Sequence, residues 1–203
     1  MNYPGASTIW LMISVFAVPA AAEIRLNPSN LTVVLDFRGE RSVLATTEMR
    51  REVDRLIEDS GVRLDWRLRS EAPFVANDLV VITFRGSCQF GSSPPLYDEP
   101  GPLAFTWMAD GEVQPFGEVD CERVVRSVRR AMWGADFGRA NSLVGRALGR
   151  VVAHELVHMV TRSTHHSGEG LERPALSGRQ LIAASLSLDA FDLERLRLSA
   201  RRR

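Results

Sequence analysis

At 203 residues the chain is long enough for one domain that buries its own core. Its 45% apolar and 25% charged content excludes a disordered chain, and its zero net charge gives no global field pointing to nucleic acid. All 25 basic residues are Arg, spread along the chain, which reads as compositional bias rather than a phosphate- or carboxylate-binding patch.

Residues 9–18 (IWLMISVFAV) form an apolar run too short to span a bilayer. Pro19 and then Ala20, Ala21 and Ala22 follow, the small-residue pattern of a signal-peptidase site. The expectation is a signal peptide over residues 1–22 and one domain over residues 23–203. The n-region lacks Lys and Arg, so an uncleaved anchor or a buried first strand are the competing readings. An exported chain would be periplasmic or secreted, with no stable membrane span once the peptide is removed. In that oxidising setting Cys88 and Cys121 are expected to pair, stabilising the fold by roughly 3.5–4 kcal/mol. The alternative is two buried thiols that never meet. Neither has a Cys or His nearby at zinc-ligand spacing.

Residues 31–38 (LTVVLDFR) are rich in β-branched and apolar side chains and predict a strand. Thr46 and Thr47 offer an N-cap for a helix to about Asp59, with Met49, Val53, Leu56 and Ile57 on one face and Gly61 as its stop. Residues 62–69 alternate apolar and charged, the period of a half-buried strand, whereas 78–85 (DLVVITFR) suit a central one. Residues 86–102 form a loop containing Pro94, Pro95, Pro100 and Pro102. A strand over 103–109 then ends at the Asp110-Gly111 turn signal, and 115–120 can pair with it as a hairpin. Helices are expected over 121–133 and 142–162, an irregular stretch after His166, and a helix over 179–199. This order predicts an α+β domain, a sheet packed with helices and followed by a loop-rich C-terminal portion.

The chemistry lies in His154-Glu155-Leu156-Val157-His158. Two His four apart on a helix share a face and can reach one metal ion, while the intervening Glu can reach water at that ion. In such HExxH sites zinc acidifies the water and the carboxylate takes its proton. With four His and fourteen Glu, chance would yield the pattern in roughly 0.5% of such chains. Gly145, Gly149 and Ala153 on the same helix would allow close packing against a sheet. A third ligand is needed. His165 and His166 lie just past the helix, with Glu169 and Glu172 as acidic alternatives, and imidazole at the chain reversal is the simplest choice.

The segment resembles the metzincin branch of zincin metallopeptidases, where a third His follows HExxH. It departs from that branch in having Thr161 and Thr164 where metzincins have Gly and His, and in having no Met after Met159. It is closer to a group of small exported bacterial proteins of predicted zincin type. In these, HExxH is followed about seven residues later by His-Ser and a Gly-hydrophobic-Met stretch. His166-Ser167 and Gly170-Leu171 match, with Glu172 where Met is usual and Val157 where Gly is usual. The resemblance implies a zincin-like fold, one Zn2+ per chain, and His154, His158 and His166 as ligands, with His165 as alternate third ligand. It also implies Glu155 as general base, a peptide or protein substrate, and a strand over 103–109 whose free edge faces the cleft. The competing reading is an exported zinc-binding protein of zincin fold without turnover. A structural zinc with four closed ligands is the third.

Overall fold

A computed structural model describes residues 28–71, 78–91 and 101–201. The expected signal peptide and residues 92–100 of the proline-containing loop lie outside the described residues. The strands are β1 (Leu31–Phe37), β2 (Leu64–Leu68), β3 (Leu79–Arg85), β4 (Ala104–Ala109) and β5 (Glu112–Asp120). The helices are α1 (Val43–Ile57), α2 (Cys121–Ala131), α3 (Ala140–Thr161), α4 (Gly178–Ile182) and α5 (Ala190–Arg201). Together they make an α+β domain around a mixed sheet of order β2-β1-β3-β5-β4.

β1 pairs in parallel with both β2 and β3, and β3 with β5. β1 is therefore buried on both faces through Asp36, which explains its nearly continuous apolar sequence. β4 joins only β5, antiparallel, and so forms one edge of the sheet among the described residues. The β4–β5 turn is Asp110-Gly111, both with positive φ (52° and 79°), the backbone that a two-residue hairpin of right-handed twist requires. Pairing resumes at Glu112, earlier than the expected start at residue 115. The register shifts between Thr106 and Met108, across from the stretch holding Pro115, whose nitrogen cannot donate to a ladder.

α1 begins three residues before the expected caps. Ser42 is its N-cap, with Oγ accepting from the Ala45 amide at 3.2 Å. Thr46 and Thr47 lie inside the helix, each hydroxyl donating back to the carbonyl four residues earlier at 3.0 Å. The earlier start brings Ala45 against α3: a Cβ at Gly145 would fall 2.5 Å from the Ala45 carbonyl oxygen. Gly149 similarly faces Met49 and Glu52. These two glycines thus admit a neighbouring helix, not the sheet that the sequence reading expected. α3 meets the sheet further along, where the Met159 methyl occupies the space above Gly117 of β5. Between them lies the core, built from Leu31, Val33, Val80, Ile82, Met49 and Val152 among others.

Arg150 is fully buried, so at least one Arg of this Arg-only chain has a structural task. Its Nε donates to Glu52 of α1 at 2.8 Å, and its two terminal nitrogens donate to the carbonyls of Gln180 and Ala183. Arg146 adds bonds to the Ile182 and Ala183 carbonyls. Here the expected single helix over 179–199 is broken into α4 and α5. The carbonyls that would continue α4 are bonded by α3 instead, and Asp189 starts α5 by accepting the Asp192 amide at 2.8 Å.

Cys88, just past β3, is disulfide-bonded to Cys121, the first residue of α2, with Cα atoms 4.9 Å apart. Such a bond is characteristic of an oxidising compartment. No helix among the described residues is long and apolar enough to cross a membrane.

Candidate metal centre

The buried part of α3 carries His154, Glu155 and His158 on its last two turns. The helix stops because Arg162 turns left-handed (φ 51°), its amide and that of Ser163 both bonding the His158 carbonyl. The chain then doubles back. The Ser167 amide bonds the Glu172 carbonyl at 2.9 Å, Gly170 takes φ 65°, and the Leu171 amide bonds Ser187 at 3.0 Å. This return loop brings two further groups to the helix: the Leu171 backbone, which has no sequence signal, and the side chain of Glu172, one of the acidic residues weighed as a third ligand.

Backbone carbonyls orient both helix imidazoles. His154 Nδ1 lies 3.0 Å from the Leu171 oxygen, and His158 Nδ1 lies 2.7 Å from the Ser163 oxygen. A carbonyl only accepts, so each Nδ1 carries the proton and each Nε2 is bare. Burial lowers the pKa of both rings, that of His154 to about 4, which keeps them neutral near pH 7. The two bare Nε2 atoms face each other at 3.1 Å. No proton lies between them in this tautomer, and two lone pairs at that distance repel. A cation held by both nitrogens would remove the conflict.

His166 supplies the third imidazole. Its ring centroid is 5.2 Å from that of His154 and 4.8 Å from that of His158. One ligand atom from each of the three residues lies within 4.8 Å of the others, so the group can hold a metal ion. His165 is turned away, its ring edge-on to Phe191 at 5.6 Å. Glu169 is exposed and does not join the group.

A second observation fits a cation here. Glu172 is 0% exposed, and neither of its carboxylate oxygens has a hydrogen-bond partner. Burial raises its pKa to about 9, reinforced by the charge of Asp192. Asp192 is also fully buried, with one oxygen bonded by Arg195 at 3.2 Å and the other without a partner. Buried carboxylates without donors are expensive, and a divalent ion is the kind of charge that offsets them.

Glu155 is 5% exposed, and burial raises its pKa to about 7, opposed by a hydrogen bond from Thr106. That bond runs from Thr106 Oγ1 on β4 to Glu155 Oε2 at 2.7 Å. The sequence reading did not find Thr106; only the hairpin register and the α3–β4 contact bring it to the helix. A cavity of about 270 Å³ opens on His154 and Glu155, bounded by Pro102, Leu103 and Ala104 on one side and Pro174 on the other. The arrangement therefore sets two neutral helix imidazoles, the His166 ring, a buried carboxylate whose pKa is raised to about 7 and, among the described residues, an unpaired strand edge around one cleft.

No protein-family model matches this chain, and no characterised protein matches it in sequence.

Proposed function

We propose that this chain is an exported zinc-dependent metallopeptidase of zincin-like fold, holding one zinc through His154, His158 and His166. The observation that carries the reading is Glu155. A site that only stores or is braced by metal has no use for a buried carboxylate beside the ligands, held by Thr106 and opening on a cleft. Zinc, when bound, supplies Lewis acidity that acidifies water and polarises a scissile carbonyl.

The chain's own groups do the remainder. Glu155 takes a proton from water and passes it to the departing amine, a task suited to a carboxylate whose pKa burial has moved to about 7. The Leu171 and Ser163 carbonyls fix which nitrogen each helix imidazole presents. The outer edge of β4 offers backbone donors and acceptors on which an extended peptide can lie as an added strand beside Glu155. Export is supported by the Cys88–Cys121 bond.

The test joins metal analysis to a cleavage assay over a broad peptide library. Parent protein should hold one zinc and cleave, and H154A and H158A should lose both properties. E155Q should keep the zinc while turnover falls by about 10²–10⁴-fold. Equal cleavage by E155Q, or no zinc-dependent cleavage by the parent, defeats the peptidase reading and leaves a zinc-binding protein without turnover.

A further inference from the structure

We propose that the cavity beside His154 and Glu155 takes a carboxylate-bearing residue of the substrate, with Arg173 as the side chain that selects it. The substrate class is then an acidic peptide, cut next to an Asp or Glu side chain or next to a free C-terminal carboxylate. The inference rests on the peptidase reading of the same site and deepens it.

The cavity of about 270 Å³ is lined by both His154 and Glu155, so whatever fills it flanks the reacting bond. Its volume lies just under the roughly 300–1,000 Å³ of pockets for drug-sized ligands, which suits one or two residues rather than a long segment. Pro102, Leu103, Val151, Pro174 and Leu176 make its apolar walls. Ser127 and Arg173 are the other polar residues of the lining. Arg173 is exposed and, among the described residues, makes no hydrogen bond or ion pair. Glu155, the one acidic residue in that lining, is bonded by Thr106 at 2.7 Å and does not pair with it. A guanidinium with uncommitted donors is matched by a carboxylate, which it can hold through two parallel N–H···O bonds. Apolar walls strengthen that attraction by excluding water, and a cationic substrate side chain would meet like charge instead.

The backbone beneath Arg173 is fixed relative to the site. Two residues earlier, the Leu171 carbonyl lies 3.0 Å from His154 Nδ1, and the Leu171 amide donates to the Ser187 carbonyl at 3.0 Å. The neighbouring Glu172 carbonyl accepts the Ser167 amide at 2.9 Å. Pro174 follows, which biases Arg173 toward extended backbone. The charge of Arg173 is thus carried on a segment tied to His154 and reads one flank of the scissile bond. Arg146 and Arg150 provide the contrast within the same chain. Their guanidiniums are spent on the carbonyls of Gln180, Ile182 and Ala183, which join α3 to the segment after α4. Arg173 has no such structural task among the described residues.

The experiment compares zinc-loaded parent with R173Q, R173K and R173E on hexapeptides of one sequence. These carry Glu, Gln or Lys on either side of the cleaved bond, each with its C-terminus amidated or free. Parent kcat/KM should favour Glu over Gln, or a free end over an amidated one, by about 10-fold, the effect of one charge-assisted hydrogen bond. R173Q should bring that ratio to about one, R173K should keep part of it, and R173E should invert it in favour of Lys. Zinc content and melting temperature are measured alongside, so that a lost ratio is not a lost fold. A preference that survives amidation assigns the carboxylate to a side chain, and one confined to free ends assigns it to the C-terminus. Equal cleavage of all these peptides by the parent, or a parental ratio in R173Q, overturns the proposal. Binding is read separately by calorimetric titration of E155Q and of E155Q/R173Q with the same peptides. If the parent cleaves nothing while E155Q binds the carboxylate peptides through Arg173, the peptidase reading fails and the carboxylate pocket stands. Neither cleavage nor such binding defeats both.

Discussion

Thr106 on the edge strand and Glu155 on the histidine helix are joined by a 2.7 Å hydrogen bond in which the threonine hydroxyl donates to the carboxylate. They are 49 residues apart in sequence, so the bond ties the edge strand of the sheet directly to the proposed base. It also holds Glu155's pKa below where burial alone would put it.

T106V should therefore lower turnover by about 10- to 100-fold, matching the 1.5–3 kcal/mol of a hydrogen bond to a charged group. Zinc content should not change. The acidic limb of the pH–kcat profile should move to higher pH, because the lost bond had favoured the ionised carboxylate. T106S should restore parental behaviour. A profile identical to parent in T106V would show that the bond has no part in the reaction.

Stability of the metal-free protein should fall as pH rises from about 6.5 to 9. Glu172, raised to about 9, and Glu155, raised to about 7, are protonated in the fold where the unfolded chain is already ionised. Their contribution is complete below the unfolded carboxylate value of 4.5 and is lost as pH passes each folded value. His154, lowered to about 4, acts in the opposite sense, but only up to its unfolded value of 6.5. Above that, the carboxylates act alone, at up to about 1.4 kcal/mol per pH unit for each group still protonated in the fold. Urea unfolding with chelator at three pH values across this range measures the slope. E172Q should flatten it, and a stability that climbs with pH over the window would contradict the assignment.

Gly149→Ala should destabilise by about 1–3 kcal/mol, although Ala favours a helix by about 1 kcal/mol. The added methyl would meet Glu52 Cβ at 2.7 Å and the Met49 carbonyl oxygen at 2.8 Å, and the backbone of α1 cannot step aside cheaply. Displacing α1 also strains the bond between Glu52 and the buried Arg150. The midpoint of urea unfolding reports it, and a stabilised variant would mean that α1 and α3 are further apart than described.

Replacing both Cys88 and Cys121 by Ser should cost about 4 kcal/mol, the loop entropy of a cross-link 33 residues apart. Reduction of the parent should produce a comparable drop in the denaturant midpoint, while zinc binding by the folded fraction stays parental. No change on reduction would show that the bond does not constrain the unfolded chain.

The position of the histidine helix was readable from local pattern. The spacing of His154 and His158 follows the helical period, and the hydrophobic face around them extends it over residues 142–162 as read and 140–161 as folded. Strands over 31–38, 62–69 and 78–85 were readable for the same reason, since β-branched and alternating residues report burial directly. The Asp110-Gly111 turn was equally legible, because its backbone needs two positive φ values that few dipeptides tolerate. Helix starts were read less well. Ser42, Thr46 and Thr47 are all acceptable caps in isolation, and contact between Ala45 and Gly145 chooses among them. The break at residues 183–189 escaped notice because carbonyls claimed by Arg146 and Arg150 leave no trace in local composition.

The sequence by itself determined which residues could bind a metal and accept a proton, since those depend on side-chain chemistry and on contacts within one or two helical turns. Between the adjacent His165 and His166 side-chain chemistry makes no choice, and only a family resemblance favoured His166. The tertiary structure turns His165 onto Phe191 and His166 toward His154 and His158. The fold alone also brought Thr106 to Glu155 and set Glu172, without a donor, beside His154. These depend on strand order and on the path of a return loop, which arise from the summed packing of distant segments and are written in no local stretch of the chain.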